Sequence, residues 1–239
     1  MPTTIMPQPP GPARPTARVA LFAGTARPLP ESGRLSGIFK EALAAAVHLG
    51  PEGLAGDEQA DLRVHGGPEK AVHMYPARHY RLLARAFPAA APLLQPGSIG
   101  ENLSSDELDE HDVRVGEVWR LGPALLQPCQ PRNPCWKIDE RFGCRGMAAY
   151  IVEQRITGWY FRVLRCGPVG PQDRIELEQP APQAPTLREA LEIWHTQPAQ
   201  QASLRRLADT PGIATHWRAR IEQRLEWLRA QAPRATTPV

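Results

Sequence analysis

The stretch GEVWRLGPALLQPCQPRNPCWK, residues 116–137, holds two β-type runs joined by a Gly-Pro turn, followed by a proline-rich loop with two cysteines. Similar short runs, namely SIGENL, GWYFRVLRCG and DRIEL, fill much of residues 98–177 and are separated by Gly and Pro turns. Several short strands at intervals of roughly ten residues are typical of a barrel. We therefore predict a mainly β (α+β) fold, with a closed or half-closed β-barrel over residues 18–178 and peripheral helices.

The segments around these runs have less regular patterns. RVALFAG, residues 18–24, is rich in β-formers and predicts a first strand. A helix is predicted to open at Tyr75 and Pro76, because proline suits the first helical turn and the apolar residues that follow have helical spacing. AAYIVEQR, residues 148–155, predicts a further short helix.

The chain after the proline-rich break QPAPQAP, residues 179–185, is predicted to be helical. Thr186 and Glu189 have the spacing of a capping box, which opens a helix. SLRRLAD predicts a second helix, and THWRARIEQRLEWLRAQ predicts a third with its apolar residues along one face. We expect a three-helix module at residues 184–232 and a disordered, proline-rich tail at residues 1–17.

Composition limits the class of protein. The chain has 239 residues, of which 42% are hydrophobic, so it can build a packed core. It has no apolar run long enough for a spanning helix and no visible export signal, so we expect a cytoplasmic protein whose four cysteines are reduced. The net charge of +3 is too small to indicate nucleic acid as a partner.

Lysine is rare in this chain. Of 28 basic residues only three are lysines, namely Lys40, Lys70 and Lys137. In a sequence biased towards arginine, a retained lysine suggests a need for a compact ammonium on a flexible stem. The alternative is chance.

Cys135 is the first candidate for chemistry. It lies between Arg132 and Lys137, and neighbouring cations favour the thiolate, which is both a nucleophile and a soft-metal ligand. The alternative is a small buried hydrophobic residue. Cys129 precedes it by only six residues, and no matching pair lies elsewhere, so a structural zinc site is not expected.

The segment ADLRVHGGPEKAVHMYP, residues 60–76, is the second candidate. Gly66 and the glycine after it allow a tight turn and a close approach of the backbone to a ligand. Four basic residues surround this turn, namely Arg63, His65, Lys70 and His73. Such a group of cations and hydrogen-bond donors suits an anionic cofactor. The segment lacks a P-loop pattern, and a plain solvated loop is the alternative.

Two further features carry weaker signals. Glu101 and Asn102 follow a glycine at the end of a short run, where side chains can project into a barrel mouth, although simple turn chemistry explains them equally. The arginines of the last helices raise nucleic-acid binding as a hypothesis. Glu222 and Glu226 interleave with these arginines, which is typical of a solvated surface.

Taken together, these stretches resemble the YiiM-type proteins of the MOSC family, named after the domain first described at the C-terminus of molybdenum-cofactor sulfurases. The resemblance rests on SGIFK, GLAGDEQADLRVHGGPEKAVHMYP, GENLS, GEVWRLGPALLQPCQPRNPCWK and TGWYFRVL, which occur in the family's order. The region TLREALEIWH to THWRARIEQRL resembles the family's three-helix extension. The similarity covers residues 18–230, and the combination of motifs is specific where each motif alone is not.

The resemblance implies a strand-rich barrel that holds molybdenum through a pyranopterin. The cysteine of its PRxPCxK motif, here Cys135, is the expected metal ligand. The terminal phosphate of the cofactor implies a basic cradle, here Ser36, Lys40, Arg63, His65, Lys70 and Arg132. Gly66, Glu101 and Asn102 lie in the same motifs and are included in the expected cofactor site.

The activity implied by the resemblance is reduction of N-hydroxylated compounds, including purine bases, to amines. Two electrons would come from a flavin or iron–sulfur reductase, and a proton donor is required, with His65, His73 and Lys137 as candidates. Neither a membrane nor nucleic acid is expected as a partner. For the three-helix module we expect docking of the electron donor, rather than coverage of the site or mere padding of the barrel.

Three alternatives stay open at this point. The protein could carry the cofactor or a persulfide on Cys135 without catalysis, bind another phosphorylated ligand such as pyridoxal phosphate through a lysine, or bind nucleic acid through its helices. Cys129 stands where family members often carry serine. We expect it to be a bystander, with an inhibitory disulfide to Cys135 as the alternative.

Overall fold

The computed structural model describes residues 15–61 and 66–231. Three features discussed above lie outside this part, namely Arg63, His65 and most of the N-terminal tail. Fourteen strands are described within it. They are β1 Thr16–Arg18, β2 Ala20–Ala23, β3 Arg27–Pro28, β4 Leu35–Ser36, β5 Glu41–Ala42, β6 Val47–Gly50, β7 Gly53–Leu54, β8 Val72–Pro76, β9 Leu103–Ser105, β10 Val118–Leu121, β11 Ala124–Pro131, β12 Trp159–Arg165, β13 Gly167–Val169 and β14 Arg174–Gln179.

Six α-helices accompany these strands in the described residues: α1 His79–Ala86, α2 Lys137–Phe142, α3 Met147–Glu153, α4 Leu187–His195, α5 Gln201–Ala208 and α6 Thr215–Gln231. Short 3-10 helices occur at Pro68–Lys70 and Pro88–Leu93. None of the described helices combines the length and the apolar content needed to cross a membrane.

Nine strands form one large sheet in the order β1-β14-β10-β11-β12-β8-β9-β2-β5, and only β8 and β9 pair in parallel. Strands β1 and β2 belong to one segment interrupted at Val19, and they pair with β14 and β9, respectively. The sheet therefore curls back towards its own first segment. Its terminal strands β1 and β5 do not pair with each other in the described residues, so the mainly β, α+β fold is confirmed but the closed barrel is not.

Strand β11 is bulged where its sequence contains proline. Gly122, with φ 54°, and Pro123 make the two-residue turn from β10 into β11. The register of β11 against β12 shifts between Pro128 and Gln130, which leaves Cys129 without a partner residue in the ladder. Proline donates no backbone hydrogen bond, so it is tolerated in a strand at such a bulge.

Neighbouring segments donate hydrogen bonds to the carbonyl groups at the bulge. The carbonyl of Pro128 accepts a hydrogen bond from the N–H of Gly116 at 2.8 Å, and the carbonyl of Cys129 accepts one from Ala214 at 2.8 Å. Ala214 directly precedes α6. The bulge thereby holds the start of the last helix against the sheet.

One hydrophobic core runs through the sheet and the C-terminal helices. Trp119, Trp159 and Phe161 of the sheet belong to the same buried cluster as Leu204 of α5 and Ile221 of α6. A second cluster packs α1, α2 and α3 against the opposite part of the sheet around Tyr75, Tyr80 and Ile138, among others. The C-terminal helices therefore share the core of the sheet.

Of the helix starts predicted from sequence, one is confirmed and one is wrong. The capping box of Thr186 and Glu189 is confirmed with both of its hydrogen bonds. The helix predicted from Tyr75 is wrong at its start, because Tyr75 and Pro76 end β8 and the helix begins at His79. All five residues of β8 are buried, and a strand covered on both faces lacks the alternation that identifies strands in sequence.

Strand β12 offers a matched test of this packing. Phe161 is 1% exposed, whereas Leu164 on the same strand is 48% exposed. We expect Phe161→Ala to lower the free energy of unfolding by about 3–5 kcal/mol, because it removes a large side chain from a closed core. Leu164→Ala should change it by less than about 1 kcal/mol in the same urea titration. Equal losses in the two variants would contradict the described core.

Candidate active site

Most of the expected site residues line one cleft. This cleft is open to solvent and has a volume of about 590 Å³. It lies between the loops near β4 and the segment that follows β11. The expected residues that line it are Ser36, Lys40, Lys70, His73, Asn102, Arg132, Cys135 and Lys137. Residues separated by about a hundred positions in sequence are thus brought together by the curl of the sheet.

Cys135 is held at this cleft by the chain on both sides of it. The N–H of Arg132 donates to the carbonyl of Gly158 at 3.0 Å, and the N–H of Ile138 donates to the carbonyl of Cys135 at 3.0 Å. The loop is therefore fixed to β12 at one end and to α2 at the other. The Cys135 side chain is half-buried and unbonded to any other cysteine, so it is accessible to a ligand in the cleft.

Arg132 contributes a buried donor atom without a partner. Its Nη2 donates to the carbonyl of Ile99 at 3.3 Å, whereas its Nη1 is buried and has no hydrogen-bond partner in the described residues. Leaving a buried charged donor unpaired is costly. The arrangement therefore suits an anionic or strongly accepting ligand in the cleft.

His73 faces the cleft as a neutral imidazole. Its side chain is buried, and burial lowers its pKa well below the ordinary value, an effect that the charge of Arg132 reinforces. Its backbone N–H donates to Oδ1 of Asn102 at 3.0 Å, which fixes the strand beside the cleft. A neutral imidazole has one donor and one acceptor nitrogen and so can move a proton.

Lys40 lies in a buried ion pair. The side chains of Lys40 and Asp57 are both 4% exposed and are in hydrogen-bond contact. Asp57 also accepts hydrogen bonds from the backbone of Gly24 at 2.9 Å and from Nδ2 of Asn102 at 2.9 Å. The amide of Asn102 thus supports this pair as well as His73.

The cleft keeps a positive charge despite this pair. The described residues that line it include four cations (three lysines and Arg132) and two carboxylates, Asp57 and Glu58, so four minus two leaves a net +2. Lys70 projects from the 3-10 turn Pro68–Lys70, and its pKa is lowered by burial and then by the charge of Arg220. A net positive, partly desolvated cleft favours anionic ligands.

Lys137 and Ser36 lie at the outer and inner parts of the wall, respectively. Nζ of Lys137 donates to the carbonyl of Leu35 at 3.3 Å, on the exposed side. Ser36 is 3% exposed, and its Oγ accepts from the N–H of Ile38 at 3.4 Å. Both side chains keep hydrogen-bonding capacity towards the cleft.

Glu101 and Gly66 are not among the residues that line the cleft. Glu101 is fully buried behind it, where one carboxylate oxygen accepts from the Tyr80 hydroxyl at 2.5 Å and from the N–H of Gly97 at 2.7 Å. Glu101 therefore supports the wall from behind.

Cys129 is buried and does not line the cleft that contains Cys135. Its thiol donates to the carbonyls of Glu69 at 3.2 Å and Tyr160 at 3.5 Å. Burial raises its pKa to about 12, so it stays a thiol at neutral pH. All four cysteines are free in the structure, and the role of Cys129 as a bystander stays a prediction.

Tyr160 and Asp57 are among the cleft residues that were not expected from sequence. Tyr160 of β12 lines the cleft opposite the bulge, and burial raises the pKa of its hydroxyl, so it stays protonated and can donate a hydrogen bond. Asp57 supplies the counter-charge of Lys40. Both lie inside motifs already singled out, but only strand pairing and loop packing show that they face the ligand space.

The buried carboxyl of Glu101 predicts a pH dependence of stability. Burial raises the pKa of this carboxyl above the ordinary value of a glutamate, so the folded chain binds the proton more tightly than the unfolded chain does. Stability should therefore be fullest at or below this ordinary value and fall as pH rises through the folded-state pKa. Glu101→Gln keeps the oxygen acceptor and should flatten this part of the curve in urea denaturation between pH 4 and 8.

Glu226→Gln, at an exposed position of α6, serves as the control and should keep the wild-type profile. An unchanged pH profile in Glu101→Gln would show that Glu101 is not the group responsible.

Comparison with known proteins agrees with this geometry. The MOSC domain family model matches residues 61–176. A protein named YiiM from Escherichia coli (strain K12) is 36% identical over 207 residues, which are 86% of this chain and 91% of that relative. The crystal structure of YiiM from Escherichia coli superposes with a TM-score of 0.75 at 28% identity, covering 92% of this chain and 96% of that one.

A longer protein named Reductase, from Gibberella moniliformis (strain M3125 / FGSC 7600), is 34% identical over 159 residues, which are 64% of this chain and 28% of that relative. The family model covers most of the large sheet but ends before the C-terminal helices, whereas the YiiM relative and the YiiM crystal structure match most of the chain. This chain therefore belongs to the MOSC-domain family and, within it, to the YiiM-type proteins.

Proposed function

We propose that this protein is a molybdenum-cofactor-dependent reductase that converts N-hydroxylated compounds, including purine bases, to amines. The observation that carries the proposal is the pairing of an accessible Cys135 with the buried, unpartnered Nη1 of Arg132 in one cleft of a MOSC-family chain. A relative that carries the name Reductase supports an oxidoreductase role.

The residues of the cleft fit the cofactor chemically. A cysteine thiolate is a soft ligand suited to molybdenum. Arg132, Lys70 and Ser36 lie on the same cleft and would bind the anionic end of the pterin, while the charge of Lys40 is already shared with Asp57. When bound, the cofactor would supply the two-electron chemistry that cleavage of an N–O bond requires.

The reaction balances as hydroxylamine plus two electrons and two protons giving amine and water. A flavin or iron–sulfur reductase is the proposed source of the electrons. The chain itself must deliver protons, and His73 is placed to do so, because its neutral imidazole faces the cleft beside Cys135. Lys137 at the outer wall is a second proton donor, and the Tyr160 hydroxyl orients the substrate as a hydrogen-bond donor.

A carrier of pterin or sulfur is the second candidate. It is favoured by the half-buried, open position of Cys135, from which a bound group could be passed to another protein. A carrier releases its group once per chain, whereas a reductase turns over many equivalents of substrate with an added reductant.

Metal analysis of two cysteine variants tests the proposal. We expect about one molybdenum and one pterin per wild-type chain made in a host with intact cofactor synthesis, and at least a tenfold loss of molybdenum in Cys135→Ser. Cys166→Ser, at an exposed position, should keep the metal. Reduction of an N-hydroxylated purine with an artificial reductant should be lost together with the metal.

The other outcomes separate the candidates. Molybdenum that stays at wild-type level in Cys135→Ser would contradict the role of this thiol as ligand. Metal without multiple turnovers would favour the carrier. The wild type could also lack metal and pterin and show an absorption band at about 400 nm. This result would favour a Schiff base between a lysine and pyridoxal phosphate.

A further inference from the structure

A second cleft meets the first one at Cys135. It encloses about 900 Å³ of space open to solvent between the Cys135 loop and the C-terminal helices. Lys70, Arg132, Cys135 and Tyr160 line both clefts. A molecule in the second cleft would therefore reach Cys135 without contacting Ser36 and Lys40, which line only the first.

The C-terminal helices contribute aromatic and basic side chains to this second cleft. Trp194 and His195 come from the end of α4, and His216, Trp217 and Arg220 come from the beginning of α6. Among the described residues that line the cleft there is no aspartate or glutamate. Trp217 is buried and belongs to the core, whereas Trp194 is partly exposed. The wall therefore offers the ring of Trp194 and positive charge without a competing carboxylate.

Arg220 is held over the cleft although its side chain is exposed. Its guanidinium carbon lies 5.3 Å from the ring centroid of Trp194, and that of Arg224 lies 5.1 Å from the same centroid. Arg224 also donates to the carbonyls of Trp194 and Thr196. Contact with an aromatic ring restricts an arginine while leaving its donors available.

Glu69 ties this wall to the turn that carries Lys70. Its carboxylate accepts hydrogen bonds from the N–H of Thr215 at 2.9 Å and 3.0 Å, and from the hydroxyl of the same residue at 3.2 Å. It also pairs with Arg162 at 2.6 Å. Because Thr215 is the first residue of α6 and Lys70 follows Glu69 directly, the helix and the lysine are held next to each other.

Lys70 and Arg220 both line the second cleft. Burial lowers the pKa of Lys70, and the positive charge of Arg220 lowers it further. An anionic group bound in this cleft would interact favourably with the positive charges of its lining.

We propose that the second cleft is the substrate site, that it selects planar aromatic compounds bearing a phosphate, and that Arg220 recognises this phosphate. The inference rests on the proposed function for the identity of the reacting group. A nucleoside 5′-phosphate with an N-hydroxylated base combines the two features that the wall matches, a flat ring for the partly exposed Trp194 and a dianion for Arg220. Docking of the electron donor by these helices stays an untested expectation, whereas their side chains at the cleft support substrate binding.

Equilibrium binding tests the inference without turnover. The probes are adenosine and adenosine 5′-monophosphate, measured by calorimetry on the full chain with and without bound molybdenum cofactor. We expect the wild type to bind the monophosphate at least about tenfold more tightly than adenosine, a difference of about 1.4 kcal/mol. Arg220→Gln should remove this difference and leave adenosine binding unchanged.

Arg218→Gln is the matched control, since Arg218 is exposed on the same helix and does not line the cleft. It should bind both probes as the wild type does. In cofactor-loaded protein, Arg220→Gln should raise KM for the N-hydroxylated nucleotide about tenfold, with kcat within about twofold, because it removes binding that is uniform along the reaction.

Three results would overturn the inference. The first is equal or undetectable binding of the two probes to the wild type, and the second is an unchanged preference for the monophosphate in Arg220→Gln. The third is displacement of the monophosphate by the cofactor, which would make the second cleft part of the cofactor site. Because binding is measured without reaction, a chain that contains no molybdenum and reduces nothing would refute the proposed function while the phosphate preference could still be observed.

Discussion

The structure depends on the bulge of β11 at Cys129. Pro128 and Pro131 cannot donate to a neighbouring strand, so the ladder with β12 shifts and the chain leaves the sheet towards Cys135. The carbonyls freed by this shift accept hydrogen bonds from Gly116 and Ala214. A local defect in one ladder therefore sets the direction of the site loop and the place where the last helix begins.

Two carboxylates organise the charge around the site. Asp57 holds Lys40, and Glu69 holds both Arg162 and the first turn of α6. Lys70 and Arg132 lie in a cleft whose lining is net positive. Partial desolvation strengthens such charges towards anions relative to bulk water.

The C-terminal helices are part of the same physical unit as the sheet. Their apolar residues lie in the core cluster that contains Trp119 and Phe161, and their polar residues reach the cleft at Cys135. Anchoring on a shared core positions Arg220 and Trp217 with little freedom, as a binding wall requires. This architecture links the packing of the module to the selectivity proposed for the second cleft.

Sequence by itself determined the mainly β class, the capping box at Thr186 and the family, because turn residues, caps and short motifs act over a few neighbours. It did not determine the start of α1, since β8 is buried on both faces and lacks alternation. It could not place Asp57, Tyr160 or Arg220 at the site either. Those positions follow from strand order, a bulged register and helix docking, which bring together groups far apart in the chain, and only tertiary structure decides such long-range contacts.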